Sequence, residues 1–162
     1  MQRAKAVMHQ VALQATKDQE GNYHFRPKSE LWNEAEEELV FDKRNHGMNK
    51  QDYHLIEFVL DDQSGDELTF PEAPHDAMWV IAGAERANRQ CPDRHSTSNY
   101  EVMEPICICD DRKRLLVRND NPRVEKWSFT LNFVKRGEDA TDLDRYVSWD
   151  PGGTNMNGGQ QL

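Results

Sequence analysis

From Val7 to Ala15 the residues Val7, His9, Val11, Leu13 and Ala15 fall on one side of a period-two pattern, with Gln10 and Gln14 on the other. That alternation predicts a strand with one face on a core, with a short helix as its rival. Lys17 to Asn22 is rich in residues that tolerate positive φ and precedes Tyr23-His24-Phe25-Arg26 and Pro27, which predicts a hairpin. Ser29 to Glu38 is acidic, and Ser29 stands as an N-cap before Trp32, so a short surface helix or an irregular turn is expected there. Leu39-Val40-Phe41 reads as a brief strand and Asp42 to Asn49 as a loop. Asp52 to Leu60 is a second firm strand, with Ile56, Phe58 and Leu60 inward and Glu57 outward.

The next run, Glu67 to Phe70, stops at Pro71 and Pro74, because proline has no ladder donor. Met78 to Ala82 favours a buried strand, and Ala82 to Arg89 could continue as a helix. Tyr100 to Asp110 holds a strand pair, or one strand broken by Pro105. After Leu115-Leu116-Val117 and the turn Asn119-Asp120-Asn121-Pro122 comes the clearest alternation in the chain. Trp127, Phe129, Leu131 and Phe133 share one face; Ser128, Thr130 and Asn132 share the face expected to meet water.

About seven to nine short strands without βαβ alternation predict an all-β fold. The expected form is an antiparallel two-sheet immunoglobulin-like sandwich with long loops and at most a short helix; a small barrel is the rival. Residues 1–150 are expected to form this domain and 151–162 a flexible Gly/Asn-rich tail.

The run Trp127-Ser128-Phe129-Thr130-Leu131-Asn132-Phe133-Val134, preceded by Asn119-Asp120-Asn121 and followed by Asp150-Pro151 and a Gly/Asn stretch, resembles the DP-EP family. Those are small bacterial β-sandwich proteins with no assigned activity. The resemblance spans roughly the last two-thirds of the chain in its strands and turns, implies a sandwich, and carries over no catalytic residue.

Composition narrows the partners. The 162 residues fit one domain, and the mean hydropathy of -0.93 is polar, yet 4 Trp, 4 Tyr and 6 Phe supply bulky groups for a core. A formal charge of -9 repels polyphosphate, which argues against nucleic acid and anionic membrane as partners. The cations of Asp111-Arg112-Lys113-Arg114 read as the solvated end of a strand. No apolar run approaches the ~20 residues that span a bilayer, and the N-terminal segment lacks the apolar stretch of a secretory signal. Three cysteines leave one unpaired, which fits a reducing compartment, so the expected location is cytoplasmic.

Candidate chemistry is sparse. Cys91 and His95 with Cys107 and Cys109 give four donors of the type zinc prefers, although the spacing is not that of paired Cys-x-x-Cys hooks; small buried thiols are the plainer reading. His9, His24, His46, His54, His75 and His95 are scattered, without His-x-x-x-His spacing; His9 and His54 lie in strand patterns, where sheet neighbours could bring two together. The acidic groups Asp61-Asp62 with Asp66-Glu67, and Glu138-Asp139 with Asp142 and Asp144, read as solvated turns, because neither matches a calcium loop. Trp32, Trp79 and Trp149 are candidates for a carbohydrate or protein surface, with Trp79 expected in the core and Trp149 pinning the tail to the body or to a neighbouring subunit. The function expected from this reading is a non-enzymatic binding or self-assembly module, with a protein or a second copy as partner. A zinc-binding protein using the Cys/His set and an enzyme with a loop-end pocket are the alternatives.

Overall fold

The computed structural model describes residues 3–82, 98, 100–138 and 146–156. The alternation at the start of the chain forms β1 (Ala6–Lys17), with His9, Val11, Leu13 and Ala15 buried in turn. A turn folds it back onto β2 (Tyr23–Lys28): Asp18 Oδ1 accepts the backbone N–H groups of Glu20 and Asn22, each at 2.9 Å, and Gly21 takes φ +89°. Pro27 is tolerated because β2 is an edge strand.

The chain then leaves this sheet to build β3 (Trp32–Asn33) and β4 (Glu38–Asp42) of a second one. It returns as β5 (Tyr53–Asp62), parallel to β1 with Ala6 opposite Tyr53. The excursion through the second sheet supplies the long connection that a parallel neighbour requires. β7 (Glu104–Cys109) and β8 (Arg114–Asn119) complete the first sheet in the order β2-β1-β5-β8-β7, with an irregularity between Pro105 and Cys107 where proline cannot donate to the ladder.

The second sheet is organised on β9 (Glu125–Phe133). β6 (Met78–Ala82), which follows the one α-helix among the described residues, the short α1 (Pro74–Ala77), pairs with one edge of β9. The other edge takes β10 (Val147–Trp149) and then β11 (Gly152–Met156), which also pairs in parallel with β4. The core lies between the sheets. Val11, Leu13, Ile56, Phe58 and Val117 come from the first; Leu39, Phe41, Val80, Trp127, Phe129, Leu131 and Phe133 come from the second, all essentially inaccessible to water. The ring centroids of Phe58 and Phe129 meet at 6.0 Å and those of Phe25 and Phe133 at 5.4 Å. Each such side chain contributes about 1.5–3 kcal/mol of transfer free energy.

The fold is mostly β in two sheets, as expected, and departs from the expectation at five places. Two strand pairs, β1 with β5 and β4 with β11, are parallel, so the sheets are not antiparallel throughout. The outer face of β9 does not meet water at Thr130 and Asn132, which are buried. Thr130 donates to Asp150 Oδ1 at 2.5 Å, and Asn132 donates to the Asp76 carbonyl at 2.8 Å while accepting from Ser148 Oγ at 2.7 Å. Ser29 to Glu38, expected as a short helix or an irregular turn, is turn and adds the β3–β4 strand pair that neither reading held, with Ser29 Oγ accepting the Leu31 N–H at 3.2 Å and Glu37 in a left-handed conformation at φ 52°. Trp79 is half-buried against Tyr146 rather than enclosed in the core.

The fifth difference concerns the tail. Residues expected to be flexible form β11, and Gly153, Thr154 and Asn155 are buried. Backbone pairing on both edges holds the segment in place, and the missing side chain of Gly153 lets it lie against the Trp127 indole.

Candidate metal centre

Four separate segments deliver the polar residues to one cluster. The β1–β5 register places His9 opposite Ile56 and Val7 opposite His54, so His9 and His54 are diagonal neighbours on the inward face. Both are buried, an unusual position for two imidazoles unless each finds a partner. His9 Nε2 lies 2.8 Å from His54 Nδ1. His46 comes from the 3-10 turn Arg44–His46, which follows β4 and closes at Gly47 with φ +62°. Glu30 comes from the turn between β2 and β3, and its Oε1 lies 3.3 Å from His9 Nδ1. The His9 and His46 rings stand edge to face, with centroids 4.7 Å apart.

Beneath the histidines, Asn121 of the β8–β9 turn sets the proton positions. Its Nδ2 points at the carbonyls of Phe41 (3.2 Å) and Met156 (3.3 Å) and lies 3.2 Å from His54 Nε2. The two carbonyls fix the amide's nitrogen on this side, so His54 Nε2 faces donors and carries no proton. The His54 proton is then on Nδ1 and is donated to His9 Nε2. The His9 proton is therefore on Nδ1, directed at the Glu30 carboxylate. Asn121 Oδ1, on the far side of the amide, is buried without a hydrogen-bond partner among the described residues. A second layer supports this one. Asn121 N–H donates to Asn119 Oδ1 at 2.8 Å, Asn119 and Asn155 exchange side-chain hydrogen bonds, and Trp127 Nε1 donates to Asn155 Oδ1 at 3.2 Å.

Electrostatics keeps the pair neutral. Burial, reinforced by the neighbouring His9, His46 and Lys43, pulls the His54 pKa down to about 3. His9 is also lowered, mainly by burial, with Glu30 opposing the shift. Lys43, whose Nζ donates to the Lys50 carbonyl at 2.7 Å, is lowered by the same desolvation. Neutral imidazoles are the form that ligates metals.

The ligating atoms of His9, Glu30 and His46 all lie within 4.8 Å of one another, grading from buried to exposed. Two imidazoles and a carboxylate form a donor set that zinc sites with an open position use, the fourth place being left to solvent. Tetrahedral donors about 2.0–2.2 Å from zinc sit about 3.3–3.6 Å from each other, so the cluster must close by roughly 1 Å. Glu30 and His46 both ride on turns, where that adjustment is small.

The strand histidines His9 and His54 do meet, but the Cys/His set expected to bind zinc does not form this site. Cys107 and Cys109 are free and exposed on β7, the outer edge of the first sheet and two strands from β5. They are not the buried thiols of the plainer reading. Cys91 and His95 lie outside the described residues, as do Asp139, Asp142 and Asp144. In the other acidic group, Asp62 accepts from the Leu68 N–H at 2.7 Å and from Ser64, and Asp66 binds Lys17 and Tyr23, which makes the group a braced turn. His24 pairs with Asp18 and His75 stacks on Tyr100. Glu30 and Asn121 were invisible from sequence, where nothing separates them from other turn residues; the only signal was two histidines in phase with buried positions of two strands. No protein-family model matches the chain, and no curated protein matches it.

Proposed function

We propose that this chain is a non-enzymatic binding protein, an immunoglobulin-like β-sandwich that holds a divalent transition-metal ion, zinc by donor type, on His9, Glu30 and His46. The observation that carries the reading is the convergence of two imidazoles and a carboxylate from three segments within 4.8 Å. His54 and Asn121 stand behind His9 as an orienting relay of the kind that tunes metal-bound imidazoles. A metal held through His9 Nδ1 would need that nitrogen unprotonated, so the tautomers of His9 and His54 would have to shift together, each proton crossing to Nε2 of its own ring with none released. Membership of the DP-EP family, a bacterial source and a reducing, cytoplasmic setting belong to the same proposal, the last supported by the two free thiols.

The test is calorimetric titration of chelator-stripped protein with Zn²⁺. One ion per chain is expected, with affinity falling at least about tenfold in His46→Ala and in Glu30→Gln, and unchanged in the Cys107→Ser/Cys109→Ser double variant. Absence of saturable binding refutes the reading. Loss of binding in the cysteine variant with retention in His46→Ala moves the metal to the Cys91, His95, Cys107, Cys109 set instead.

A further inference from the structure

A separate cleft of about 330 Å³ opens where the β2 edge, the β3–β4 hairpin and the end of β10 meet, a volume in the range of small-molecule sites. Its aromatic walls are Phe25, Trp32 and Trp149, and its acidic groups are Glu34, Glu37 and Asp150. The rings are held from behind. Phe25 stacks on Phe133 at 5.4 Å, Trp149 meets Phe129 edge-on at 5.6 Å, and the Trp32 indole donates to Glu34 Oε2 at 2.9 Å. Trp32 and Trp149 lie 5.7 Å apart with their planes inclined by 44°, forming a corner rather than a stack. Both remain half-buried, so they reach the core without being enclosed by it.

Charge distinguishes between ligands. Three carboxylates face one cation, Arg26, in the lining. Two of the carboxylates already accept hydrogen bonds, Glu34 from Trp32 and Asp150 from Thr130. The Glu37 side chain has no hydrogen-bond or ion-pair partner among the described residues. Its backbone is held left-handed at φ 52°, while its carbonyl accepts the Gly152 N–H. Two indoles 5.7 Å apart supply polarisable π surface, and a carboxylate without a partner beside them adds full charge; together they favour a cation that also has apolar surface to bury.

We propose that this cleft binds an alkylated ammonium group, with Trp32 and Trp149 as the cation–π walls and Glu37 as the counter-charge. The group could be carried by a small free molecule or by a methylated lysine side chain, since both present the same head. A saccharide stacked on the same indoles, its hydroxyls donating to the carboxylates, is the competing occupant; being neutral, it would not respond to ionic strength.

The test follows tryptophan fluorescence and indole N–H resonances of the full chain during titration with tetramethylammonium, choline, trimethyl-lysine amide, unmethylated lysine amide and N-acetylglucosamine. Saturable shifts with the methylated cations, weaker for unmethylated lysine and weakened by added salt, are expected; which methylated probe binds tighter identifies the source. Glu37→Gln should weaken binding about threefold to tenfold and Glu37→Lys should abolish it. Both substitutions are on an exposed turn and leave the core intact. Trp149→Ala should also abolish binding, with a circular dichroism spectrum separating loss of the wall from loss of the fold. No shift with any cation at millimolar concentration overturns the proposal, as does binding of the saccharide with no response to the cations or to Glu37→Lys.

Discussion

Replacing Gly153 by alanine tests the placement of β11, and with it the support of the histidine cluster. A Cβ at this position would lie 2.2 Å from Cζ2, 2.4 Å from Cε2 and 2.5 Å from Cη2 of Trp127. Carbon atoms in contact rest about 3.5–4.0 Å apart, so the strand or the indole must move by more than about 1 Å. The indole has little room: it is wholly buried, stacked near Phe41 and Phe129 with centroids at 6.0 and 5.2 Å, and tied to Asn155 through Nε1. Overpacking of a tight core costs about 1–3 kcal/mol, and a clash with a pinned ring belongs at the upper end. For a domain of this size about 3 kcal/mol corresponds to a fall in Tm of about 6–12 °C. Differential scanning calorimetry of Gly153→Ala should show it. In a Trp127→Phe background, which removes the three opposed atoms, the alanine should cost at least about 1 kcal/mol less than in the wild type. A segment that does not dock would show no loss, or a slight gain from the reduced chain entropy of alanine. An unchanged Tm, or full additivity with Trp127→Phe, would refute the packing argument.

Three further outcomes follow from the same contacts. His54 is neutral in the folded state with its pKa at about 3, against 6.5 for the ordinary group. The folded state therefore binds fewer protons than the unfolded one between these values, and stability that is complete above pH 6.5 is lost as pH falls, by up to about 1.4 kcal/mol per unit. Urea unfolding of chelator-treated protein between pH 6.5 and 4.5 should show that slope, and a flat profile would contradict the burial of the histidine pair. Asn155→Ala strips the acceptor from the buried Trp127 N–H and breaks the reciprocal pair with Asn119; a loss of about 2–3 kcal/mol is expected in the same assay, and a near-neutral result would show that the polar layer is not closed. In Cys91→Ser protein a thiol reagent should modify both Cys107 and Cys109 without denaturant, whereas modification only after unfolding would place β7 against another element.

Alternation along the chain was enough to locate β1, β5 and β9 and to assign their inward residues, because a strand with one face on a core must repeat every second position. The β1–β2 turn was equally legible, since Asp18 and Gly21 carry its geometry locally. What alternation does not encode is which strands become neighbours. Parallel pairing of β1 with β5 decided that His9 and His54 touch, and it depends on a detour of the intervening chain through the other sheet. Thr130 and Asn132 look like a wet face in sequence and are buried because α1, Ser148 and Asp150 cover them, a fact of three-dimensional neighbourhood. The Gly/Asn composition of residues 152–156 marks a segment without a hydrophobic reason to order. Two flanking strand edges and a tryptophan that accepts only glycine beside it supply that reason, and they belong to the assembled fold.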